Sequence, residues 1–204
     1  NAIAGAQEHG VYAYMKHFAL NDQEGNRNCM VATWSNEQAI REIYLKPFEM
    51  SVKDADCHAV MSSFNYIGNR WAGGCSELLQ NVLRGEWGFL GFVETDYFGV
   101  YGYMTADQAV RNGGDLMLCT TGNDYNNVTV LTNSSKQAMR TSAKNILYTV
   151  VNSRAYEAEN LNPGMAKWKV ILIGADVVAA LLIVGLEYTA IKNYKKRKEE
   201  EEEV

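Results

Sequence analysis

The chain has 204 residues, 47% hydrophobic and 21% charged, enough for one ordinary core plus a tail. Its formal net charge of −5 gives no reason to expect a nucleic-acid partner, which demands a basic face. Cys29, Cys57, Cys75 and Cys119 form no CxxC pair and no His/Cys metal spacing, which argues against a metal site.

The chain opens on Asn1, with neither an initiator methionine nor a signal peptide, and reads as one whose beginning lies upstream. Short apolar runs alternate with helical stretches, a βα pattern that implies a parallel sheet. Val11 to Phe18 is the first strand candidate and ends in Lys16-His17, followed by a polar loop from Asn21 to Asn28. Ser35 with Gln38 makes a capping-box pattern, and Ala39, Ile43 and Leu45 begin an apolar helix face that Pro47 interrupts. A second turn or helix reaches Asp56, and Ala59 to Phe64 is the next strand. Ser76 is placed to cap a helix carrying Leu78, Leu79, Val82 and Leu83, with Gly85 at its close.

The third strand, around Phe92 and Val93, rises from the glycine-punctuated turn at Gly88 and stops at Asp96-Tyr97-Phe98-Gly99. A carboxylate at the end of a parallel strand lies where α/β barrels build active sites, although an aspartate opening a turn is the plainer alternative. Thr105 and Gln108 form a second capping box, and that helix ends at Gly113-Gly114. Asp115 to Leu118 reads as a fourth strand. Ser134 to Asn152 reads as a long helix with Met139, Ala143, Ile146, Leu147, Val150 and Val151 on its apolar face. Four strands are half of an eight-stranded barrel. The cysteines read as buried free thiols, with one or two disulfides as the alternative. The sequons at Asn127 and Asn133 matter only in a eukaryotic secretory pathway.

After the Pro/Gly linker, Val170 to Leu186 holds 17 residues with Asp176 the single charge. A bilayer needs roughly 20 apolar residues, with about 17 at the lower limit. A central aspartate costs ~2.5–3.5 kcal/mol on insertion scales, which favours a buried globular helix. The flanks favour a membrane span: Trp168 and Tyr188 suit the two interfaces, and five cations (Lys192, Lys195, Lys196, Arg197, Lys198) follow against Lys167 and Lys169 before it. The expected organisation is a barrel domain over 1–156, a linker over 157–167, a transmembrane helix over 168–191 and a charged cytoplasmic tail over 192–204. The barrel would then lie outside the cell membrane, with a single pass. The fold class is α/β, a partial TIM-like (β/α)8 barrel plus a C-terminal transmembrane helix.

Separated stretches line up with one family. Lys16-His17-Phe18-Ala19-Leu20-Asn21-Asp22-Gln23-Glu24 with Arg27 resembles the KHF-x-x-N-x-QE-x-x-R signature of glycoside hydrolase family 3. Arg41 to Phe48 resembles its RE-x-YL-x-PF. Val60 to Asn65 is similar to its VM-x-SYN, Glu77 to Phe89 to its ELL…LRGEWGF, Thr95-Asp96-Tyr97 to its SDW, and Gly113 to Leu116 to its AG-x-DL. The resemblance covers roughly residues 10 to 152, in family order.

That resemblance implies a retaining β-glycosidase of the β-glucosidase type acting on terminal sugars of oligosaccharides or glycosides. Asp96 would be the nucleophile, and Lys16 and His17 would donate to sugar hydroxyls. Arg27 would stand near the same subsite as a countercharge to Asp96. Met61 would pack near the site, with an ordinary core methionine the alternative, and Tyr97 would offer an aromatic platform. Phe64 replaces the family's tyrosine and removes a hydroxyl that hydrogen-bonds the nucleophile. The acid/base glutamate is expected outside this chain, in an α/β-sandwich domain preceding the barrel. No cofactor is expected, because two carboxyls and water suffice. The N-acetylglucosamine-cleaving subfamily carries a KHFPGHG-type loop, and Ala19-Leu20-Asn21-Asp22 argues against that activity. Two other readings stay open: a membrane-anchored, non-catalytic glycan-binding protein on the same scaffold, and a purely structural scaffold.

Overall fold

The computed structural model describes residues 1–98, 101–119, 126–157, 161 and 164–202. Gly99 and residues 158–160, 162 and 163 of the expected linker lie outside them. The described chain divides into two units, Asn1–Glu157 and Ala158–Val204.

The first unit is built on a parallel sheet of β1 (Tyr14–Phe18), β3 (Ala59–Ser62) and β6 (Phe92–Glu94), in the order β1-β3-β6. β1 and β3 are registered with Tyr14 opposite Ala59, and β3 and β6 with Met61 opposite Glu94. Leu116 extends the sheet by one parallel bridge to Glu94. Because the strands are parallel, the segments after Phe18, Ser62 and Glu94 all leave by one edge. A register irregularity between Met15 and Phe18 falls on Lys16 and His17. Such bulges re-aim side chains at the rim of a sheet.

Helices cover one face of this sheet. α1 is Ala2–Glu8, α2 is the single turn Glu37–Ala39 continuing into a π-helix over Ile40–Tyr44, and α3 is Lys46–Lys53. A second π-helix, Glu77–Glu86, buries Leu78, Leu79 and Leu83. With Leu45, Val52, Trp87 and Phe89 these pack on Met15, Phe18, Val60 and Val93 of the strands. Gly91 has no room for a side chain, since a Cβ there would sit 1.9 Å from the His58 carbonyl oxygen.

Several elements differ from the sequence reading. The expected fourth strand shrinks to the bridge at Leu116: Val93 N donates to the Asp115 side chain at 2.8 Å, and only the Val93 carbonyl accepts from the backbone of Asp115 and Leu116. β2 (Ala32–Thr33), β4 (Tyr66–Ile67) and β5 (Arg70–Trp71) form a second small sheet where the sequence reading placed no strand. Asn36, not Ser35, caps α2, accepting from Ala39 N at 2.8 Å, and Ile43 is exposed. Ser76 makes no cap bond; its hydroxyl donates to Glu77 instead, and Gly85 lies inside its helix. Thr105 does cap α4 (Ala106–Arg111), accepting from Gln108 N. The cysteines are all free thiols, but only Cys57 and Cys75 are buried; Cys119 is half-buried and Cys29 exposed.

The largest reversal concerns α5 (Asn133–Val151), capped by Thr132 and Ser135. Its buried residues are Ser135, Ser142, Asn145 and Thr149, whereas Leu147, Val150 and Val151 are exposed. The reason is polar. Asn145 Nδ2 donates to Asp115 Oδ1 at 3.0 Å and Ser142 Oγ to the Gly114 carbonyl at 3.1 Å, so α5 faces the sheet with donors.

Asp115 is the centre of that arrangement. Its fully buried side chain pairs with Arg84 Nη2 at 2.7 Å, and Arg84 Nη1 donates to the Gly91 carbonyl at 2.8 Å. Burial pushes the Asp115 carboxyl up, and the Arg84 charge with the Val93 and Asn145 donors pulls it back. The second unit carries the helix Lys167–Glu202, which runs into the expected tail. Its Lys167–Lys198 stretch is long and apolar enough to cross a membrane.

Breaking a buried pair by deleting one partner strands the other charge, at a cost of about 3–5 kcal/mol. Asp115→Ala is therefore expected to lower the unfolding free energy of the full-length protein by about that much. Denaturant melts should also show the double variant Arg84→Met/Asp115→Leu losing less than Asp115→Ala alone.

Candidate active site

The site is assembled at the sheet edge where β1, β3 and β6 end. β6 delivers Asp96, which is 7% exposed. One carboxylate oxygen is engaged locally, Oδ1 accepting from Tyr97 N at 2.7 Å. The other, Oδ2, is buried without a hydrogen-bond partner among the described residues. A buried, unsatisfied carboxylate oxygen is uncommon in native structures, and a catalytic role is one explanation for it.

Two basic groups face that oxygen. His17 Nε2 lies 3.3 Å from Oδ2, brought there through the irregular end of β1. Arg27 Nη1 stands 3.9 Å away, a charge interaction and not a hydrogen bond. The Arg27 guanidinium is held from two other sides. Its Nε pairs with Glu24 at 3.0 Å, and its Cζ lies 4.9 Å above the Phe64 ring. Phe64 is buried, with Tyr101 edge-on at 5.7 Å, and its carbonyl accepts from the Tyr103 hydroxyl at 3.0 Å.

The remaining expected residues are placed less closely. Lys16 is exposed on β1 and acts on His17 through its charge. Met61 is half-buried, opposite Glu94 in the sheet register. Tyr97 presents its ring 43% exposed beside Asp96. No group of three or more metal-ligating side chains occurs among the described residues.

The sequence reading passed over several neighbours. Tyr101 and Tyr103 form the aromatic wall behind Phe64, and burial pushes the Tyr103 phenol well above its usual range. Tyr14 is bonded to Glu94, two residues before Asp96; burial raises the Glu94 carboxyl, and burial with the Glu94 charge raises Tyr14 to about 12. The period-2 relation between Glu94 and Asp96 was the signal available in the sequence for a second carboxyl on that face.

Residues 1–147 match the family described as glycosyl hydrolase family 3 N terminal domain. The chain belongs to that family. Beta-glucosidase B of Emericella nidulans is 45% identical over 114 residues, which span 56% of this chain and 13% of that protein. A beta-glucosidase of Rhizobium radiobacter is 42% identical over 114 residues, again 56% of this chain and 13% of the relative. Among solved structures, beta-glucosidase 3B from Thermotoga neapolitana in complex with glucose superposes with a TM-score of 0.65 at 32% identity, covering 78% of this chain and 23% of that one. The family 3 beta-glucosidase of Bifidobacterium adolescentis gives 0.67 at 30% identity, over 76% and 23%. The chain thus spans about an eighth of the sequence relatives and a quarter of the solved ones.

The His17 imidazole is held below its ordinary value near 6.5, first by burial and further by the Lys16 and Arg27 charges, with Asp96 opposing. A depressed folded-state value means that the unfolded chain binds a proton first as pH falls below about 6.5. The stability His17 contributes is present above that pH and is lost below it. In thermal melts of the full-length protein, wild type should lose more between pH 7 and pH 5 than His17→Gln does. Parallel losses would show that His17 is not the linked group.

Proposed function

We propose that this chain carries the nucleophile side of a retaining β-glycosidase of the β-glucosidase type. The observation that carries the reading is Asp96 Oδ2, a buried carboxylate oxygen with no hydrogen bond among the described residues, faced by His17 at 3.3 Å and Arg27 at 3.9 Å. A carboxylate tied down by one oxygen and open at the other suits in-line attack on an anomeric carbon. Asp96 Oδ2 forms the bond to C1 as the bond from C1 to the leaving oxygen breaks. A second carboxyl, a glutamate outside this chain, protonates that oxygen from ~5–5.5 Å away and then activates the water that releases the sugar. An α/β-sandwich domain preceding the barrel is the proposed source of that glutamate. His17, with Lys16 beside it, hydrogen-bonds sugar hydroxyls, and Arg27 offsets the negative charge on Asp96. Met61 packs beside the bound sugar, and Tyr97 offers its ring as a platform.

The C-terminal helix is proposed to anchor the protein by a single pass, with the barrel outside and the cation-rich end in the cytoplasm. Its length and apolar character support this, as do the five cations that follow the apolar run. One observation favours the alternative of a membrane-anchored glycan binder without turnover. Phe64 offers a ring under Arg27 where a hydroxyl would give the nucleophile a donor.

A single experiment on membranes from cells expressing the full-length protein tests the main reading. Treatment with a 2-deoxy-2-fluoro-β-glucoside bearing a good leaving group, then digestion and mass spectrometry, should label the peptide containing Asp96. The labelled polypeptide should stay with the membranes through alkaline carbonate. Binding of glucosides without label would favour the non-catalytic reading. A hydrogen bond to a charged acceptor is worth ~1.5–3 kcal/mol, so Phe64→Tyr should speed glucoside hydrolysis on the order of tenfold. An unchanged rate would remove Phe64 as the limiting difference.

A further inference from the structure

The barrel unit contains three tryptophans, and two of them, Trp71 and Trp87, are buried at 0% and 9% exposure. Trp34 is 84% exposed. It follows β2 at the edge of a groove of ≈ 390 Å3, lined also by Asp22, Gln23, Ser35 and the half-exposed Tyr44. That volume lies within the roughly 300–1,000 Å3 typical of small-molecule sites. Single exposed apolar side chains are ordinary on protein surfaces. An indole standing over a groove of carboxylate, carboxamide and hydroxyl groups is a different composition. A flat apolar face with polar groups around it matches a sugar ring, which has an apolar C–H face and a rim of hydroxyls.

The groove is linked to the site around Asp96 through the chain that follows His17. Its floor begins at Leu20, three residues after His17, where the chain turns in the left-handed region at φ 62°. Asn65 Nδ2 donates both to the Ala19 carbonyl at 3.1 Å and to Thr33 Oγ1 at 2.9 Å. Those two bonds tie the strand carrying Trp34 to the segment after Phe64, whose ring lies under Arg27. Asn21, between Leu20 and Asp22, keeps both side-chain polar atoms buried and unbonded among the described residues.

We propose that Trp34 is a specificity-determining platform that stacks a sugar unit of an oligosaccharide other than the unit held at Asp96. This deepens the glycosidase reading and rests on it. It makes this chain a binder of extended β-linked gluco-oligosaccharides rather than of glucosides with small leaving groups.

The test compares full-length wild type, Trp34→Ala and Trp34→Phe on β-glucosyl fluoride and on β-linked gluco-oligosaccharides from disaccharide to pentasaccharide. The fluoride's leaving group is too small to reach the groove. An aromatic stacking contact of this kind supports a drop of about tenfold in the oligosaccharide-to-fluoride ratio of kcat/KM for Trp34→Ala. Trp34→Phe should recover most of the ratio. An unchanged ratio, or loss on both substrates in equal measure, overturns the proposal. If wild type hydrolyses neither substrate, the glycosidase reading itself fails. Calorimetry with the pentasaccharide then decides the groove: weaker binding to Trp34→Ala supports the platform, and equal binding or none overturns it.

Discussion

The architecture depends on one buried carboxylate, Asp115. It accepts from Arg84 at 2.7 Å, from Val93 N at 2.8 Å and from Asn145 at 3.0 Å. Those donors come from the π-helix, from β6 and from α5, so one side chain fixes three elements against each other. Arg84 extends the arrangement by donating to the Gly91 carbonyl at the start of the turn into β6. A buried ion pair is weak evidence for net stability, because desolvation offsets much of its attraction. Its geometric demand is stringent all the same. Val93 lies three residues before Asp96, so the constraint that completes the sheet also sets where the candidate nucleophile leaves it.

At the site, the two oxygens of the Asp96 carboxylate have different surroundings. Asp96 Oδ1 takes a hydrogen bond from its neighbour's backbone, while Oδ2 faces His17 and Arg27 without accepting one. Arg27 is oriented by Glu24 and the Phe64 ring, and its charge reaches Asp96 across 3.9 Å. His17 is held below its ordinary pKa by burial, so near neutral pH it is an uncharged hydrogen-bonding group. The charged group facing Asp96 is then Arg27.

Period-2 and helical patterns located β1, β3, β6, α4 and α5 in the sequence, with ends off by a few residues. They failed where a side chain took over a backbone's role. The Asp115 carboxylate accepts Val93 N and reduces an expected strand to one bridge. On α5 the apolar stripe reads as the core face. The buried stripe is Ser135, Ser142, Asn145 and Thr149, because the groups it meets need donors. Hydrophobic periodicity carries no information about a buried acceptor on another element. The second sheet, β2-β4-β5, escaped notice because its two-residue strands are too short for any period.

By itself the sequence determined the order of the βα units, the family and the identities of Asp96, His17, Arg27 and Phe64, since motif spacing and strand ends are local properties. Tertiary structure alone decided the unbonded Oδ2 of Asp96, the seat of Arg27 over Phe64, the Tyr101–Tyr103 wall and the exposure of Trp34. Each depends on residues far apart in the chain. Distance and burial between such residues arise only when parallel strands bring their ends to one edge.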